Sequence, residues 1–437
     1  MKSILKNIIT KLLIWQARKI VTKYQPTIVV VGGDVGKTTT KDAIFTALRS
    51  LTGVRKSQQS FNSEIGVPLT ILDRPTGWNN PKIWLNTLLK GFRLIYTTQP
   101  YPSYLVLELG DRKPGDTAQL ATWLPIHVLV ITKIDPTPTH IEFFASATEH
   151  RREKQTLMES VRPGGHIILN NDDLLAKKLY ATAKLKNDVS LHTFGKQQSL
   201  PRPDIGIKQI LVESLQGELR TSAMLVTGDH TKTLTLVNHL GEGVVLASAA
   251  ALLVGAIFDI PADESLSALR EQPDLPRGRL NVITGVKNTI ILDDTYNAGP
   301  ASMRLGLDTL AALPKSKRRI ALLGSMLELG DTSLEQHRLA GTYAVGRVDV
   351  LVTVGSDAKH IGKAAKDAGM ETKHIYAFSS SREAGKFVEQ MVREGDAVLV
   401  KGSQGIRMER ATQELMLHPE KRSTLLVRQD RYWLNKS

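Results

Sequence analysis

A glycine-rich loop joins the first strand-like run of the sequence to a helix. Residues Gly32–Thr40 read GGDVGKTTT and follow the apolar run Thr27–Val31. Glycines let the backbone fold tightly enough for its N–H groups to face a phosphate, and the N-terminus of the next helix adds partial positive charge. In such a loop Lys37 can neutralise phosphate oxygens and the hydroxyl of Thr38 can ligate Mg²⁺. The pattern predicts a nucleotide site, and a glycine turn without a ligand is the alternative.

Other residues that can do chemistry follow strand-like runs further along the chain. An open α/β sheet presents its ligands at the carboxyl ends of its strands, and a carboxylate in that position can hold Mg²⁺. Each residue also has a plainer explanation, as a strand-end acid, a structural histidine or a solvated turn. The candidates are Glu108, His140, the pair Asp293 and Asp294, and the segment Lys401-Gly402-Ser403.

The elements that would position these residues alternate in type along the chain. Short β-rich runs at 104–109, 128–132 and 166–169 are separated by helical stretches, which indicates βαβ units and a parallel sheet. Residues 205–240 read instead as strands joined by turns, which favours an antiparallel patch. Proline and glycine at 272–279 indicate a linker, after which the alternation resumes.

The predicted fold class is therefore α/β, with two domains behind a helix. A central domain with a phosphate-binding loop, a mostly parallel sheet and an antiparallel patch would span 26–272. A Rossmann-like α/β domain would span 273–437, and the N-terminal helix would occupy 1–25.

Residues 2–24 predict a basic amphipathic helix. Apolar residues recur at helical spacing from Ile4 to Trp15, and six lysines and arginines supply positive charge. Such a helix can lie on a membrane surface or pack on the body of the protein, and the sequence leaves both open.

The composition excludes several classes of site and protein. The 437 residues contain no cysteine, which rules out disulfides, thiolate metal sites and cysteine nucleophiles and fits a cytoplasmic location.

The formal net charge of +14 suits phosphorylated substrates or an anionic surface. The basic residues are not interleaved with aromatic ones, so we expect no nucleic-acid partner. No secretory signal is recognisable, and the longest apolar run, 247–258, predicts a buried helix because a membrane span needs about 20 residues.

Taken in order, the motifs resemble those of the Mur ligase family from about Pro26 to Glu409. Within that family they are closest to the ligases that add D-alanyl-D-alanine. The phosphate loop is similar to the family's GxxGKT[ST]T element. The other matching segments are Asn62–Thr70 (NSEIGVPLT), Leu107–Gly110 (LELG) with Lys113–Asp116 (KPGD), His140–Phe144 (HIEFF), Asp293–Pro300 (DDTYNAGP), Leu323–Gly330 (LGSMLELG) with His337, and Val400–Ser403 (VKGS) with Met408 and Glu409.

The resemblance implies an ATP-dependent ligase that forms an amide bond through an acyl phosphate in peptidoglycan synthesis. Its cofactors would be ATP and Mg²⁺, its donor a UDP-muramoyl-peptide and its acceptor D-Ala-D-Ala. Two alternatives stay open: a family member that joins another carboxylate and amine, and a degenerate nucleotide-binding protein without catalysis.

The resemblance also assigns residues to roles. One Mg²⁺ would lie on Thr38 and Glu108, and a second near Glu108, His140 and a carbamylated Lys154, whose carbamate would offer the oxygens that Mg²⁺ prefers. The alternative for Lys154 is a surface lysine on a charged helix. Lys37, His140 and Lys154 are thus the catalytic candidates. Nucleotide contacts are expected from Gly33, Asp34, Val35, Gly36, Lys37, Thr38, Thr39, Arg279, Asp294 and Asn297, and contacts near the acceptor amine from Lys401 and Ser403.

Several positions depart from the family pattern. Asp34 places negative charge in a phosphate loop. Residues Gly241–Ala247 align with an ATP-contacting G-x-HN-x-x-N element but lack its histidine and both asparagines. Gly299, Ser325 and Gln404 replace an asparagine, an aspartate and an arginine.

The N-terminal region departs most. Relatives in this part of the family carry, before the phosphate loop, a separate domain that holds the UDP-sugar. In this sequence about thirty residues precede Gly33, fewer than a domain of typical size. We therefore expect the basic helix in place of that domain.

Overall fold

The computed structural model describes residues 2–58, 61–77, 80–215, 218–271, 276–314 and 318–435, with side chains from residue 6 onward. Within these ranges the chain forms a nine-stranded and a six-stranded sheet, both flanked by helices. This arrangement confirms the predicted α/β class. The predicted turn at 216–217 and the boundary between 272 and 273 fall on or beside residues outside the described ranges, and the domain bounds stay a prediction.

The first sheet has the strand order β2-β3-β1-β4-β5-β6-β7-β8-β9. Neighbours from β2 to β7 are parallel, whereas β7, β8 and β9 form the predicted antiparallel patch. The strands are β1 (Thr27–Gly32), β2 (Val54–Lys56), β3 (Tyr104–Glu108), β4 (Ile126–Ile131), β5 (Val161–Asn170), β6 (Ser190–Lys196), β7 (Ile205–Leu215), β8 (Glu218–Thr227) and β9 (His230–Val237).

Nine helices belong to this part of the chain among the described residues. They are α1 (Lys2–Tyr24), α2 (Lys37–Ala47), α3 (Gly66–Leu72), α4 (Pro81–Tyr96), α5 (Asp116–Ala121), α6 (Ala147–Ser160), α7 (Leu174–Thr182), α8 (Glu242–Ile257) and α9 (Ala262–Glu271). Strands β1, β3 and β4 are continuous apolar runs because helices cover both faces of the sheet. Helix α8 packs beside α2 and buries most of its residues, as the apolar run 247–258 predicts.

The second sheet has the order β10-β11-β15-β12-β13-β14, and only β10 and β11 pair antiparallel within it. Its strands are β10 (Asn281–Gly285), β11 (Thr289–Asp294), β12 (Arg319–Gly324), β13 (Val350–Val354), β14 (Ile375–Phe378) and β15 (Ala397–Lys401). Its helices are α10 (Pro300–Ala311), α11 (Ser333–Ala344), α12 (Lys359–Asp367), α13 (Ser381–Met391), α14 (Glu409–Leu415), α15 (Arg422–Leu425) and α16 (Arg431–Leu434).

Helix α1 packs on the body of the protein with one face and exposes the other. Leu13, Ala17 and Ile20 are fully buried in the core that covers one face of the first sheet. Trp15 is 38% exposed, and the lysines and arginines between residues 6 and 23 are exposed as well. Among the described residues, no helix is long and apolar enough to cross a membrane.

Candidate active site

The glycine loop connects β1 to α2 at the carboxyl edge of the first sheet. Gly33 has a φ of 120°, and a Cβ at this position would lie 2.4 Å from Oγ1 of Thr132, so the turn requires glycine. Gly36, with a φ of 88°, precedes the first residue of α2. The N–H of Asp34 donates to the carbonyl of Lys133 at 2.6 Å, which ties the loop to the segment after β4. The loop therefore has the tight backbone turn that a phosphate site needs.

Two predicted nucleotide residues lie at the start of α2, and one of them, Thr38, meets an arginine from the second half of the chain. Nζ of Lys37 donates to the carbonyl of Gly33 at 2.6 Å, so the side chain folds over the loop. Thr38 is buried, and its Oγ1 lies 3.5 Å from Nη2 of Arg279. The guanidinium of Arg279 also stacks on the ring of Tyr296, 4.2 Å from its centroid. Arg279 thus reaches the glycine loop, and its contact with the nucleotide stays a prediction.

Glu108 ends β3 beside the loop strand, where it is paired in register with Val31. Its carboxylate is buried, and Oε1 accepts a hydrogen bond from Nδ2 of Asn62 at 3.0 Å. Oε2 has no hydrogen-bond partner among the described residues. A buried carboxylate oxygen without a partner is costly, and a cation at this edge of the sheet would satisfy it.

His140 contacts the second half of the chain rather than Lys154. It has a φ of 75°, and its Nδ1 contacts Oε2 of Glu328. The other oxygen of Glu328 accepts from Arg112 at 2.7 Å. Burial lowers the pKa of His140, against the opposing effect of Glu328. His140, Arg112 and Glu328 therefore form a polar contact between the two halves.

Lys154 is buried on α6 and sits inside a cluster of charged groups. Its Nζ lies 2.6 Å from Oδ1 of Asp34, contacts Oδ2 of Asp111, and lies 2.9 and 3.0 Å from the two ring nitrogens of His150. Lys154 makes no hydrogen bond or ion pair with Glu108 or His140 within the described part of the chain. The surface-lysine alternative is wrong, because only 1% of Lys154 is exposed.

The predicted residues of the second half gather at the carboxyl ends of β11 and β15. Nζ of Lys401 is paired with Oδ2 of Asp294 at 2.6 Å and donates to the carbonyl of Asn297 at 3.0 Å. Oγ of Ser403 donates to the carbonyl of Ala298 at 3.1 Å. Burial lowers the pKa of Lys401, and Asp294 opposes that effect. These residues hold one another, and Arg279 links this half of the chain to the phosphate loop.

Gly299, which departs from the family pattern, and Gly241, which begins the segment that lacks the histidine and both asparagines, are closely packed. A Cβ at Gly299 would lie 2.4 Å from Oγ1 of Thr139. Gly241 has a φ of 89°, and a Cβ there would lie 2.4 Å from Oγ1 of Thr309. A larger residue at either position would have to displace a neighbouring threonine.

Several polar groups of the site were not among the predicted residues. Asp111 and Glu328 gave no signal, because their partners are distant in sequence. His150 lies four residues before Lys154, which places both on one helix face, so that spacing offered a usable signal. Asp135, also missed, accepts from the N–H of Ala301 at the start of α10.

The residues present fit one Mg²⁺ position better than the other. Thr38 and Glu108 offer oxygen atoms, the ligand type of Mg²⁺, and one oxygen of Glu108 finds no partner in the part of the chain that the structure describes. Lys154 does not fit as a ligand of a second ion, because its Nζ is surrounded by two carboxylates and an imidazole.

Comparison with known proteins identifies the family of this chain. Residues 31–255 match the Mur ligase middle domain, and residues 278–404 match the Mur ligase, glutamate ligase domain. The UDP-N-acetylmuramoyl-tripeptide–D-alanyl-D-alanine ligase of Mycobacterium leprae is 30% identical over 402 residues, covering 87% of this chain and 71% of the relative. The enzyme of the same name from Bacillus subtilis is 24% identical over 393 residues, covering 90% and 76%.

Solved structures show the same likeness. The MurF ligase of Thermotoga maritima in complex with ADP superposes with a TM-score of 0.75 at 25% identity, covering 94% of this chain and 84% of that one. Folylpolyglutamate synthase of Mycobacterium tuberculosis complexed with ADP, at 14% identity and a TM-score of 0.60, shares the fold, with 94% and 97% covered. The chain therefore belongs to the Mur ligase family of ATP-dependent ligases.

Proposed function

We propose that this protein joins D-Ala-D-Ala to a UDP-muramoyl-tripeptide with ATP, in peptidoglycan synthesis. The observation that carries the proposal is the contact of the phosphate loop with Arg279, together with the buried oxygen of Glu108, next to the strand that leads into the loop, that has no partner among the described residues. The names of the similar ligases support the choice of donor and acceptor.

The proposed reaction has two steps. A carboxylate oxygen of the tripeptide attacks the γ-phosphorus of ATP, the bond to the β-γ bridging oxygen breaks, and ADP leaves. The amine of D-Ala-D-Ala then attacks the acyl carbon, loses a proton, and expels inorganic phosphate. Because phosphoryl transfer needs positioning and charge stabilisation more than covalent help, the residues act mainly as clamps.

The residues of the loop would bind and neutralise the triphosphate. Backbone N–H groups of Gly33–Thr39 and the ammonium of Lys37 would face its oxygens, and Arg279 would reach them from the other half. Thr38 and Glu108 would hold Mg²⁺, which when bound supplies positive charge to the β- and γ-phosphate oxygens. Asp294 and Asn297 would complete the nucleotide side of the cleft.

The acceptor would lie near Lys401 and Ser403. Lys401 ends β15 and Ser403 follows it, and Lys401 is fixed by its pair with Asp294 at 2.6 Å. Since that contact joins a proposed nucleotide residue to a proposed acceptor residue, it would hold the two substrates at a defined separation.

A phosphate-release assay tests the proposal. The protein is incubated with ATP and Mg²⁺, with UDP-muramoyl-tripeptide and D-Ala-D-Ala supplied together and singly. Release that needs both substrates supports the proposal. Release with a different carboxylate and amine pair would assign the chain to another family reaction, and nucleotide binding without turnover would indicate a degenerate protein.

We further propose that the protein is cytoplasmic and that α1 makes peripheral contact with a membrane that carries anionic lipid. Helix α4 runs parallel to α1, since Nε2 of Gln16 donates to the carbonyl of Leu88 at 2.9 Å and Nζ of Lys23 to that of Thr97 at 2.8 Å. The sequences 2–24 and 81–96 carry lysines and arginines and no acidic residue.

The outer face of the two helices also exposes apolar side chains. Trp15 lies 6.1 Å from Phe92, ring centroid to centroid, and Leu85, Leu89 and Tyr96 are 58%, 56% and 74% exposed. Apolar side chains between basic ones are what interfacial helices use on anionic lipid. Truncating α1 would uncover core residues, so substitutions test the contact better.

Co-sedimentation with phosphatidylglycerol vesicles at low salt measures this contact. Leu85→Ser with Leu89→Ser should reduce the bound fraction, whereas Leu174→Ser on α7, where the leucine is 67% exposed, should not. Equal sedimentation of all three proteins, or equal binding to uncharged phosphatidylcholine vesicles, would rule out the contact.

A further inference from the structure

The position that the resemblance assigns to a carbamate is filled here by an ion pair network. Lys154 projects from α6 toward Asp34 in the phosphate loop and Asp111 in the loop after β3. The side chains of Asp34 and Asp111 are 7% and 9% exposed, and that of His150 is 1% exposed. The network is thus enclosed and joins three separate segments.

The number of donors and acceptors fits an ammonium group. A lysine ammonium has three N–H donors and no acceptor, and the three partners around Nζ are two carboxylate oxygens and an imidazole nitrogen. Burial lowers the pKa of His150 to about 4, and the charge of Lys154 adds to that effect, so the imidazole is neutral and able to accept. Burial alone would lower the pKa of Lys154, but the two carboxylates raise it.

A carbamate on Lys154 would reverse this balance. It would place a third anion beside Asp34 and Asp111, and like charges this close and this buried repel strongly. Asp34, Asp111 and His150 have ligand atoms within 4.8 Å of one another, as a metal site requires. The ammonium of Lys154 already lies among them, so a divalent ion would have to displace it.

We infer that Lys154 is a positioning residue, the internal counter-ion of Asp34, and that it fixes the phosphate loop as an ammonium instead of holding metal as a carbamate. The inference rests on the proposed function only in taking the loop as the ATP site. It deepens that function by explaining how a phosphate loop tolerates an aspartate.

The consequence of this pairing extends along the loop. Oδ2 of Asp34 accepts from the N–H of Asp135 at 2.8 Å, and Oδ2 of Asp135 accepts from the N–H of Ala301 at 3.0 Å. Without Lys154, Asp34 would be a buried, uncompensated anion that must turn toward water or toward the phosphates. The loop would then lose its position and repel the nucleotide.

A double-mutant cycle on nucleotide affinity and thermal stability tests the inference. Lys154→Met should weaken binding of β,γ-methylene-ATP on the order of tenfold, because it leaves Asp34 unpaired in the loop. Asp34→Asn combined with Lys154→Met should recover the affinity to within about threefold of wild type and raise the midpoint of thermal unfolding above that of Lys154→Met alone.

The matched control is Lys41, another fully buried lysine, which is paired with Asp42 at 3.3 Å. Asp34→Asn should not rescue the stability lost in Lys41→Met. If Asp34→Asn rescued both Lys154→Met and Lys41→Met, its effect would be general and not specific to Lys154, and the inference would be overturned. So would a double variant no better than Lys154→Met.

A second readout detects the carbamate directly. Wild-type protein in ¹³C-bicarbonate should show no carbamate carbon resonance that depends on Lys154. A resonance present in the wild type and lost in Lys154→Met would overturn the inference. The resonance and the thermal cycle need no turnover, so a protein that fails the ligase assay still decides this question.

Discussion

At the scale of single residues, the proposed reaction depends most on Lys37. Lys37→Ala should lower ligase turnover on the order of 100-fold or more, because it removes the cation that would face the transferred phosphoryl group. The midpoint of thermal unfolding should change little, since Lys37 is the first residue of α2 and is only partly buried. Lys133→Ala, an exposed lysine beside the loop, is the control. Wild-type turnover in Lys37→Ala would remove the loop from the mechanism.

Asp293 shows that one acid of the predicted pair is structural. It is fully buried, and its Oδ1 accepts from the hydroxyls of Thr295 at 2.8 Å and Thr412 at 3.0 Å. Burial raises the pKa of Asp293 to about 7. As pH rises, the unfolded chain releases the proton of Asp293 near the ordinary pKa of 3.8, whereas the folded protein keeps it up to about pH 7.

This difference predicts a pH dependence of stability. Between about pH 4 and pH 7 the native state binds more protons than the unfolded state, so the contribution of Asp293 falls as pH rises and levels off above 7. Asp293→Asn cannot ionise and should be more stable than wild type at pH 8, by on the order of 1–3 kcal/mol, with a smaller gain at pH 5. Urea unfolding at both pH values measures it, with the exposed Asp331→Asn as control. An identical gain at both pH values would contradict the prediction.

At the scale of elements, α1 is part of the fold as well as a surface. Ile20 is fully buried against the first sheet, whereas Lys19 next to it is exposed. Ile20→Ala should lower the free energy of unfolding by about 2–5 kcal/mol through the cavity it leaves. Lys19→Ala should change it by less than about 0.5 kcal/mol. Equal, small effects in urea unfolding would mean that α1 does not pack as described.

The elements that the sequence predicted are those with strong local patterns. Strands β1, β3 and β4 are apolar runs, and β7–β9 are separated by turn-forming sequences, so all six were predicted. Strands β2, β6, β10 and β14 were not, because β2 has only three residues and β6 begins with exposed residues. Motif order assigned both the glycine loop and Arg279 to one site, and the structure places Arg279 against Thr38. Contacts such as that of His140 with Glu328, 188 residues away, depend on how the two sheets meet, and no local pattern encodes that.

At the scale of the whole molecule, the site is complete only when the second sheet packs against the first. Among the described residues, the contacts that join the two halves there include those of Arg279 with Thr38, Ala301 with Asp135, and Glu328 with His140. Glu328 also pairs with Arg112, whose side chain is 61% exposed, so this contact lies at the solvent-exposed rim of the contact between the two halves. A rim contact of this kind is suited to opening and closing the two halves without unfolding either one.

Glu328→Gln tests that role, since it keeps the shape of the side chain but removes its charge. Arg112 and His140 would lose their anionic partner, and the closed arrangement should become less populated. The apparent KM for ATP should rise by about threefold to tenfold, because apparent affinity falls in proportion to the fraction of molecules in the binding-competent state. Small-angle scattering should show a larger radius of gyration, while the midpoint of thermal unfolding changes little. Glu371→Gln, which removes an exposed pair with Lys373, is the matched control. If both variants give the wild-type KM and radius of gyration, the contact at the rim does not govern closure.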